Sequence, residues 1–488
     1  MTTTIARPPR ELLEEQLNRI EERIEQMPDS IELRFDRAVL LRELGLPQES
    51  MNAYLELLAI VPSHFGALNN LGTLAMELGF QTAARTAYSE AIKHHPNNPM
   101  GHVNLASALA RIDAVDDALR HFEIALSLNP SHPEAHQGIS RLLSEIGRED
   151  VARSHRVQGF QKHSIKVLPF RGTGQPVNLL VLASAAGGAV PIWHHLDDHV
   201  FATTVVFVDF YEVERPLPPH DLVMNAIGDA DCCKTSLDAA AVLLRQSRAP
   251  LINSPSRVME TGRLANARRF AELPGVRTAK MVVLTRHQLI DCDANSLLSP
   301  HGITFPLLFR SLGFHNGSFF SLIDDEKSLT KLLPAVPGDE MLFIQFLDAR
   351  RRDGRIRKYR VMMIDGNFYP LHVAISRNWK IHFFSAEMAD DPDNRAEDEA
   401  FLCDMQKVLG PRAMEALRRI EATLGLEYVG LDFSLSDTGD VILFEANACM
   451  VVNPPDQDKK WNYRRSAVQR ILDAIRHLLT KTNSSISS

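Results

Sequence analysis

The sequence predicts a multidomain chain: an N-terminal all-α helical solenoid, then a small α/β domain, then an α+β domain. Three observations predict it. Pro28, Pro62, Pro96 and Pro130 recur every 34 residues, the period of a helix-turn-helix repeat closed by a proline. From Val177 that period stops, and short apolar runs bounded by turn residues take over, as buried parallel strands require. Beyond Lys280 the turn pairs Asp353-Gly354, Asp365-Gly366 and Thr438-Gly439 are each flanked by strand-like residues, which favours antiparallel hairpins.

At 488 residues the chain exceeds what one core fills, and about 150 residues per domain implies roughly three. A net charge of -8 supplies no global drive toward nucleic acid or an anionic membrane, so neither is expected as a partner. No apolar run reaches the roughly 18 residues that span a bilayer, and Met1 to Arg10 lacks an apolar signal core. A cytoplasmic protein is expected. The cysteines Cys232, Cys233, Cys292, Cys403 and Cys449 are scattered and odd in number, and they read as free thiols.

Residues 10–27 place apolar side chains at helical spacing and read as a leading helix. Three full repeats follow, at about 31–64, 65–98 and 99–132. Gly45, Gly79, Asp113 and Gly147 keep the same step, as do the aromatics Tyr54, Tyr88 and Phe122. Small residues recur where two helices must approach: Ala38, Gly72 and Ala106 on first helices, Ser50, Ala84 and Ala118 on second ones. A partial unit from 133 to about 160 (Ile139, Leu143, Ala152) reads as the cap. In these positions the units resemble the tetratricopeptide repeat, which implies a solenoid over 1–162. Its concave positions (Glu32, Phe35, Arg42, Asn69, Met76, Glu77, Met100, Arg111) are mixed in character. Such arrays dock partners. Another protein, the chain's own catalytic part, a peptide or carrier protein as substrate, and a second copy in a homodimer all remain open.

Val177 to Leu182, Thr203 to Val208, Asp221 to Ile227 and Leu251-Ile252 read as strands. With the helical stretches Leu237 to Gln246 and Ser256 to Leu273 they make a small parallel α/β domain. Gly172-Thr-Gly174 and Gly187-Gly188 are not dinucleotide fingerprints. In the antiparallel region a helix is expected from about Ala413 to Leu424. Glu387 to Glu399, acidic and proline-interrupted, reads as a mobile loop. The last helix, Ser466 to Leu479, leads into a Ser-rich tail, 481–488, expected to be disordered.

The sharpest local pattern is Gly430-Leu-Asp432-Phe-Ser-Leu-Ser-Asp437-Thr-Gly439-Asp440-Val-Ile-Leu-Phe-Glu445-Ala-Asn447. If the chain reverses symmetrically between Thr438 and Gly439, Glu445 faces Asp432, and opposed residues share a face. Asn447, two residues on, shares it too, while Phe444 and Ala446 point away. Opposed carboxylates repel. A hard divalent cation removes that penalty, and Mg²⁺ takes few protein carboxylates while leaving positions for phosphate oxygens. The alternative is a plain polar hairpin face.

Asp432 followed by Glu445-x-Asn447, and preceded by Gly425-Leu-Glu-Tyr428-Val-Gly430, resembles the metal-binding end of the ATP-grasp enzymes, especially their glutathione synthetase-like branch. The resemblance covers about residues 177–480 and implies an α/β pre-ATP-grasp domain at 175–275 and an α+β ATP-grasp catalytic domain at 276–480. Asn253-Ser-Pro255 is similar to the segment that closes the first of these. Phe305-Pro-Leu-Leu-Phe-Arg310-Ser-Leu-Gly313, running on to Gly317-Ser318, is similar to the strand and glycine-rich loop that fold over the ATP phosphates, where only small side chains let backbone N–H groups reach phosphate. Phe343-Ile-Gln345-Phe346-Leu347-Asp348 resembles the hinge where backbone groups read adenine and an acid reads ribose. Arg360 resembles an arginine that faces the reacting acyl phosphate. Arg263 and Arg310 stand where the family usually has lysine, in phosphate-clamping positions, and arginine keeps the charge while binding oxygen pairs differently.

The resemblance thus implies an ATP-dependent carboxylate-amine ligase working through an acyl phosphate. Its cofactors would be ATP and Mg²⁺, or Mn²⁺, with Asp432, Glu445 and Asn447 as metal ligands. The two arginine replacements keep a second expectation open, a catalytically degenerate nucleotide-binding adaptor or scaffold. Arg350, Arg351, Arg352, Arg355, Arg357 and Lys358 crowd one hairpin and read either as a solvated surface or as a hold for an anion. His195 and His199, four residues apart, offer two metal ligands where an open site needs about three. A surface or substrate-contacting role is the other reading.

Overall fold

The computed structural model of the protein describes residues 10–190, 196–291, 293–312, 319–381, 383, 386–456 and 458–484. The chain divides into two compact units, Met1–Pro176 with Asp197–Ala202, and Val177–Leu196 with Thr203–Ser488.

The first unit is the solenoid. Its helices are α1 (Arg10–Gln26), α2 (Ile31–Glu43), α3 (Pro47–Ile60), α4 (Phe65–Glu77), α5 (Gln81–His94), α6 (Pro99–Ala110), α7 (Val115–Leu128), α8 (Pro133–Glu145) and α9 (Glu149–Phe160), followed by a short strand β1 (Ile165–Val167). The periodic prolines set the starts of the first helices, because a cap stands two residues after each. Ser30, His64 and Asn98 accept from the backbone N–H of Leu33, Ala67 and Met100 at 3.4, 3.0 and 3.0 Å, satisfying donors that a helix N-terminus leaves open. The first helices end where Gly45, Gly79, Asp113 and Gly147 take φ of 77, 84, 58 and 84°, a left-handed conformation that glycine adopts freely and aspartate tolerates. Tyr54, Tyr88 and Phe122 are buried against the small residues, each such ring contributing about 1.5–3 kcal/mol. Ser50 Oγ donates to the Ala38 carbonyl at 2.7 Å. Successive repeats are stitched by Asn70 donating to Tyr54 at 3.1 Å and Asn104 to Asn69 at 2.6 Å.

The second unit opens with β2 (Val177–Ala183), β3 (Phe201–Phe207), β4 (Leu222–Asn225), α10 (Lys234–Leu243) and β5 (Leu251–Ile252). The strands lie in the order β3-β2-β4-β5, with β2, β4 and β5 parallel. The helix expected over Ser256 to Leu273 is broken at Glu260–Gly262 into α11 (Pro255–Met259) and α12 (Arg263–Phe270).

Two further sheets follow, the first of them antiparallel. One has the order β7-β10-β8-β9; the full run up to it is β6 (Val276–Thr278), β7 (Met281–Thr285), α13 (Arg286–Asp291), α14 (Ala294–Leu298), β8 (Leu307–Ser311), β9 (Phe320–Ile323), α15 (Glu326–Leu332) and β10 (Glu340–Gln345). The other is built from β11 (Ile356–Ile364), β12 (Asn367–Ser376), β13 (Tyr428–Leu435) and β14 (Val441–Asn447), in the order β12-β11-β13-β14-β6, and is antiparallel except where β6 joins β14 in parallel. Asp365-Gly366 and Thr438-Gly439 turn true hairpins. Asp353-Gly354 does not, because the residues that run into it, 346–351, form no strand.

The acidic segment expected as a loop instead starts a helix, α16 (Pro392–Cys403). Asp391 accepts from the N–H groups of Asp393 and Asn394 at 2.9 and 3.3 Å, and Pro392 takes the first helical position, where its missing donor costs nothing. α17 (Met405–Leu424) begins earlier than expected and kinks at Gly410, ahead of Pro411. α18 (Asn462–Ser484) runs into the segment expected to be disordered. Tyr359 stacks on Phe433 at 5.5 Å and meets Phe401 of α16 edge-on at 5.0 Å. Helix therefore covers that face of β11 and β13, and the alternate residues Arg360 and Asp432 face the other way.

Candidate functional site

A cleft of about 490 Å³ opens between these two sheets. Leu308 and Arg310 of β8 and Ile344 and Gln345 of β10 form one wall; Lys358 and Arg360 of β11, Asp432 of β13, and Glu445 and Asn447 of β14 form the other. Register sets this second wall. His372, Arg360, Asp432 and Glu445 lie directly opposite one another across β12, β11, β13 and β14, and so share a face. Glu445 faces Asp432, as the sequence implies, and Asn447 faces Gly430. The reversal is nevertheless not symmetrical about Thr438 and Gly439. Leu435 faces Val441, which centres the turn on Thr438, and a bulge at Phe444 restores the register before Asp432.

Every carboxylate of the expected metal set has a cationic partner. Asp432, 1% exposed, receives Arg360 Nε at 2.6 Å, Arg360 Nη2 at 2.8 Å and Lys358 Nζ at 2.7 Å. Burial alone would raise its carboxyl; Lys358 and Arg360 outweigh burial and hold it far below the usual carboxylate range. Burial likewise opposes the Arg360 charge, and Asp432 more than offsets it. Glu445 accepts from Arg263 Nη2 at 2.8 Å, while Arg263 Nη1 donates to Asp231 at 2.6 Å. Arg310 is held below the usual guanidinium range by burial first and by Arg263 second. Asn447 Oδ1 accepts from the Cys449 N–H at 3.1 Å. Burial, then Arg360, holds His372 well below the usual imidazole range.

Of the residues expected at an adenine hinge, Gln345, Phe346 and Leu347 line the cleft. Asp348 is not on its wall; Arg350 holds it, with Nε 2.9 Å from Oδ1 and Nη2 2.6 Å from Oδ2. Gly313, Gly317 and Ser318 lie outside the described residues, as does His195. His199 sits in the first unit, its Nδ1 3.3 and 3.0 Å from Asp197 and Asp198. The basic run divides. Arg355 donates to Asn394 at 2.8 Å and Arg357 to Glu397 at 2.7 Å, so the acids and amide of α16 neutralise or satisfy them, and of this run only Lys358, with Arg360 just beyond it, lines the cleft.

Asn266 and Asp231 escaped the reading of the sequence, while Lys358 and Asn253 entered it without the roles seen here. Lys358 read as one of a run of cations, either a solvated surface or a hold for an anion. Asn266 donates to the Ala446 carbonyl at 2.8 Å, and Asn253 exchanges hydrogen bonds with the Tyr428 backbone at 2.7 and 2.9 Å; together they pin β14 and β13 to the α/β half. Asp231 stands 32 residues from the arginine it binds, and no local pattern marks it.

A helical-repeat solenoid followed by a mixed α/β region with several sheets is the class of protein this fold defines. Residues 69–133 match the tetratricopeptide repeat family model, and the N-terminal helices are repeats of that type. Similar solved structures include MamA from Desulfovibrio magneticus RS-1, at 17% identity over 30% of this chain and 84% of that one, TM-score 0.29. A tetratricopeptide repeat protein from Parabacteroides merdae is similar at 18% identity over 31% and 60%, TM-score 0.29. YrrB, a TPR protein with an unusual peptide-binding site, is similar at 19% identity over 30% and 74%, TM-score 0.27. Among curated proteins none matches the chain.

Proposed function

We propose that the second unit binds ATP in this cleft and joins a carboxylate to an amine through an acyl phosphate, while the repeats recruit the partner or substrate. The observation that carries this reading is the charge of the cleft wall. Arg263, Arg310, Lys358, Arg360 and Lys380 line it against Asp229, Asp432 and Glu445, an excess of two positive charges. A magnesium-bound nucleoside triphosphate carries about two negative charges and would cancel it. The cleft also has the size of small-molecule sites, about 300–1,000 Å³.

In the proposed reaction a carboxylate oxygen of the acyl substrate bonds to the γ-phosphorus, and the bond from that phosphorus to the bridging oxygen breaks, releasing ADP. The amine nitrogen then bonds to the acyl carbon, the carbon–oxygen bond to phosphate breaks, and the amine's proton goes to solvent. Arg263 and Arg310 draw the phosphate oxygens, and Arg360 with Lys358 stabilises the charge that develops on the acyl group through preorganised cations. Bound magnesium, or manganese, would neutralise charge between the β- and γ-phosphates. Asp432, Glu445 and Asn447 are donors of the right kind, two carboxylates and an amide oxygen. Because cations already hold both carboxylates, these donors suit a metal carried in with a polyphosphate that draws the cations away.

The double pairing of Asp432 favours a second reading, a nucleotide-gated adaptor without turnover. ADP release by the full chain, measured over pooled carboxylic acids and amines with Glu445→Gln as control, separates the two. Acceptor-stimulated release supports the ligase, nucleotide binding without release supports the adaptor, and failure to bind nucleotide removes both.

A further inference from the structure

We infer that Asp231 is a positioning residue for the nucleotide cleft, a fixed counter-ion that keeps the Arg263 guanidinium aimed into the cleft when Glu445 lets it go. The inference rests on the nucleotide reading above.

Arg263 opens α12 and is shared between two carboxylates of different mobility in function. Its Nη2 donates to Glu445 at 2.8 Å, and its Nη1 to Asp231 at 2.6 Å. Its backbone N–H also meets both oxygens of Asp231, each at 3.2 Å. Asp231 therefore grips this residue at both ends, whereas Glu445 touches it only at the tip. Asp231 is itself fixed, because Asp229 Oδ1 accepts from the N–H groups of Asp231 and Cys232 at 3.0 Å each. The close approach depends on Gly262, where a Cβ would lie 2.6 Å from Asp231 Oδ1.

Two consequences follow from these contacts. Arg263 lines the large cavity of the cleft, whereas Asp231 lines only a small pocket beside it, with Arg263, Glu445 and Asn447, so Asp231 reaches the large cavity through the arginine. Glu445, in contrast, is a donor that a metal–nucleotide complex would claim. Held by Glu445 alone, Arg263 would lose its only anchor at the moment its charge is needed, and the neighbouring Arg310 would repel it. Held by Asp231 as well, it stays beside Arg310, ready for phosphate oxygens.

The test is calorimetric binding of AMP-PNP with Mn²⁺ to the full chain, for the unsubstituted protein, Asp231→Asn, Arg263→Met and the double variant. Asp231→Asn keeps an acceptor for the Arg263 N–H and removes the charge; it should weaken binding about tenfold. The double variant should bind no more weakly than Arg263→Met, since effects that pass through one side chain do not add. Additive losses, or unchanged affinity in Asp231→Asn, would overturn the inference and leave the nucleotide reading standing. No AMP-PNP binding by the unsubstituted chain would overturn the nucleotide reading and this inference with it. Asp231→Ser, run through the same cycle, decides the matter if Asp231→Asn does not fold.

Discussion

Arg360 and Asp432 stand directly opposite each other on β11 and β13, the guanidinium Nε and Nη2 lying 2.6 and 2.8 Å from the two carboxylate oxygens. Lys358 reaches the same carboxylate, so one buried anion holds two cations at the cleft wall. The asymmetry of that arrangement predicts unequal costs.

Asp432→Ala strands two cations in a buried site, while Arg360→Ala leaves Asp432 paired with Lys358. Removing one partner of a buried pair costs about 3–5 kcal/mol when the other is left alone. Urea unfolding should therefore show Asp432→Ala at that level and Arg360→Ala well below it. Equal losses would mean that Lys358 does not compensate.

Metal loading should depend on nucleotide. With Asp432 and Glu445 both engaged by cations, Mn²⁺ alone finds neither carboxylate available, and ADP should tighten Mn²⁺ binding by about tenfold or more. Electron paramagnetic resonance of Mn²⁺ titrated into the full chain, with and without ADP, reads this directly. Tight binding of Mn²⁺ to the nucleotide-free protein would refute it.

The solenoid should weaken in mild acid. His102 and His121 face each other Nδ1 to Nδ1 at 3.0 Å, and His136 and His155 repeat the contact at 2.9 Å one period later. The Nε2 atoms of His102 and His136 must donate, since each meets a proline carbonyl, of Pro96 and Pro130. Their Nδ1 atoms accept only while neutral. Burial, then the partner histidine, lowers the pKa of His121 and of His155, although Asp117 and Glu123 act the other way. A depressed histidine contributes stability that is whole above the ordinary value of about 6.5 and is lost as pH falls through the depressed one. Thermal unfolding from pH 7.5 to 5 should show the loss, about 1 kcal/mol per pair, and His121→Leu/His155→Leu should flatten it.

Asp398 predicts the opposite slope in the second unit. It is fully buried, accepts from the Val373 N–H and the Tyr463 hydroxyl, each at 2.7 Å, and burial raises its carboxyl to about 6 despite Arg464. A raised carboxyl contributes stability present below its ordinary value and lost as pH rises through the folded one. The penalty at neutral pH is on the order of 3 kcal/mol. Asp398→Asn should remove that slope between pH 4 and 7 in melting experiments. A wild-type slope surviving in the variant would assign it to other groups.

The solenoid was legible because its contacts are local. A proline, a cap two residues later, a left-handed residue at each helix end and an aromatic over a small residue all fall within one 34-residue period. The carboxylate pair was legible for a similar reason, since a short hairpin brings Asp432 and Glu445 together, and the bulge at Phe444 happens to cancel the half-residue shift of the turn. The acidic loop was misread because a proline after a capping aspartate starts a helix as readily as it interrupts one.

The sequence by itself determined the repeat architecture, the change to mixed α/β structure near Val177 and the facing of Asp432 with Glu445. Only the tertiary structure decided which cations hold those carboxylates. Arg360 lies 72 residues from Asp432, and Arg263 lies 182 from Glu445. Periodicity reports neighbours along a helix or strand, whereas charge pairing in a cleft depends on which strands lie side by side, and chain separation alone does not encode that.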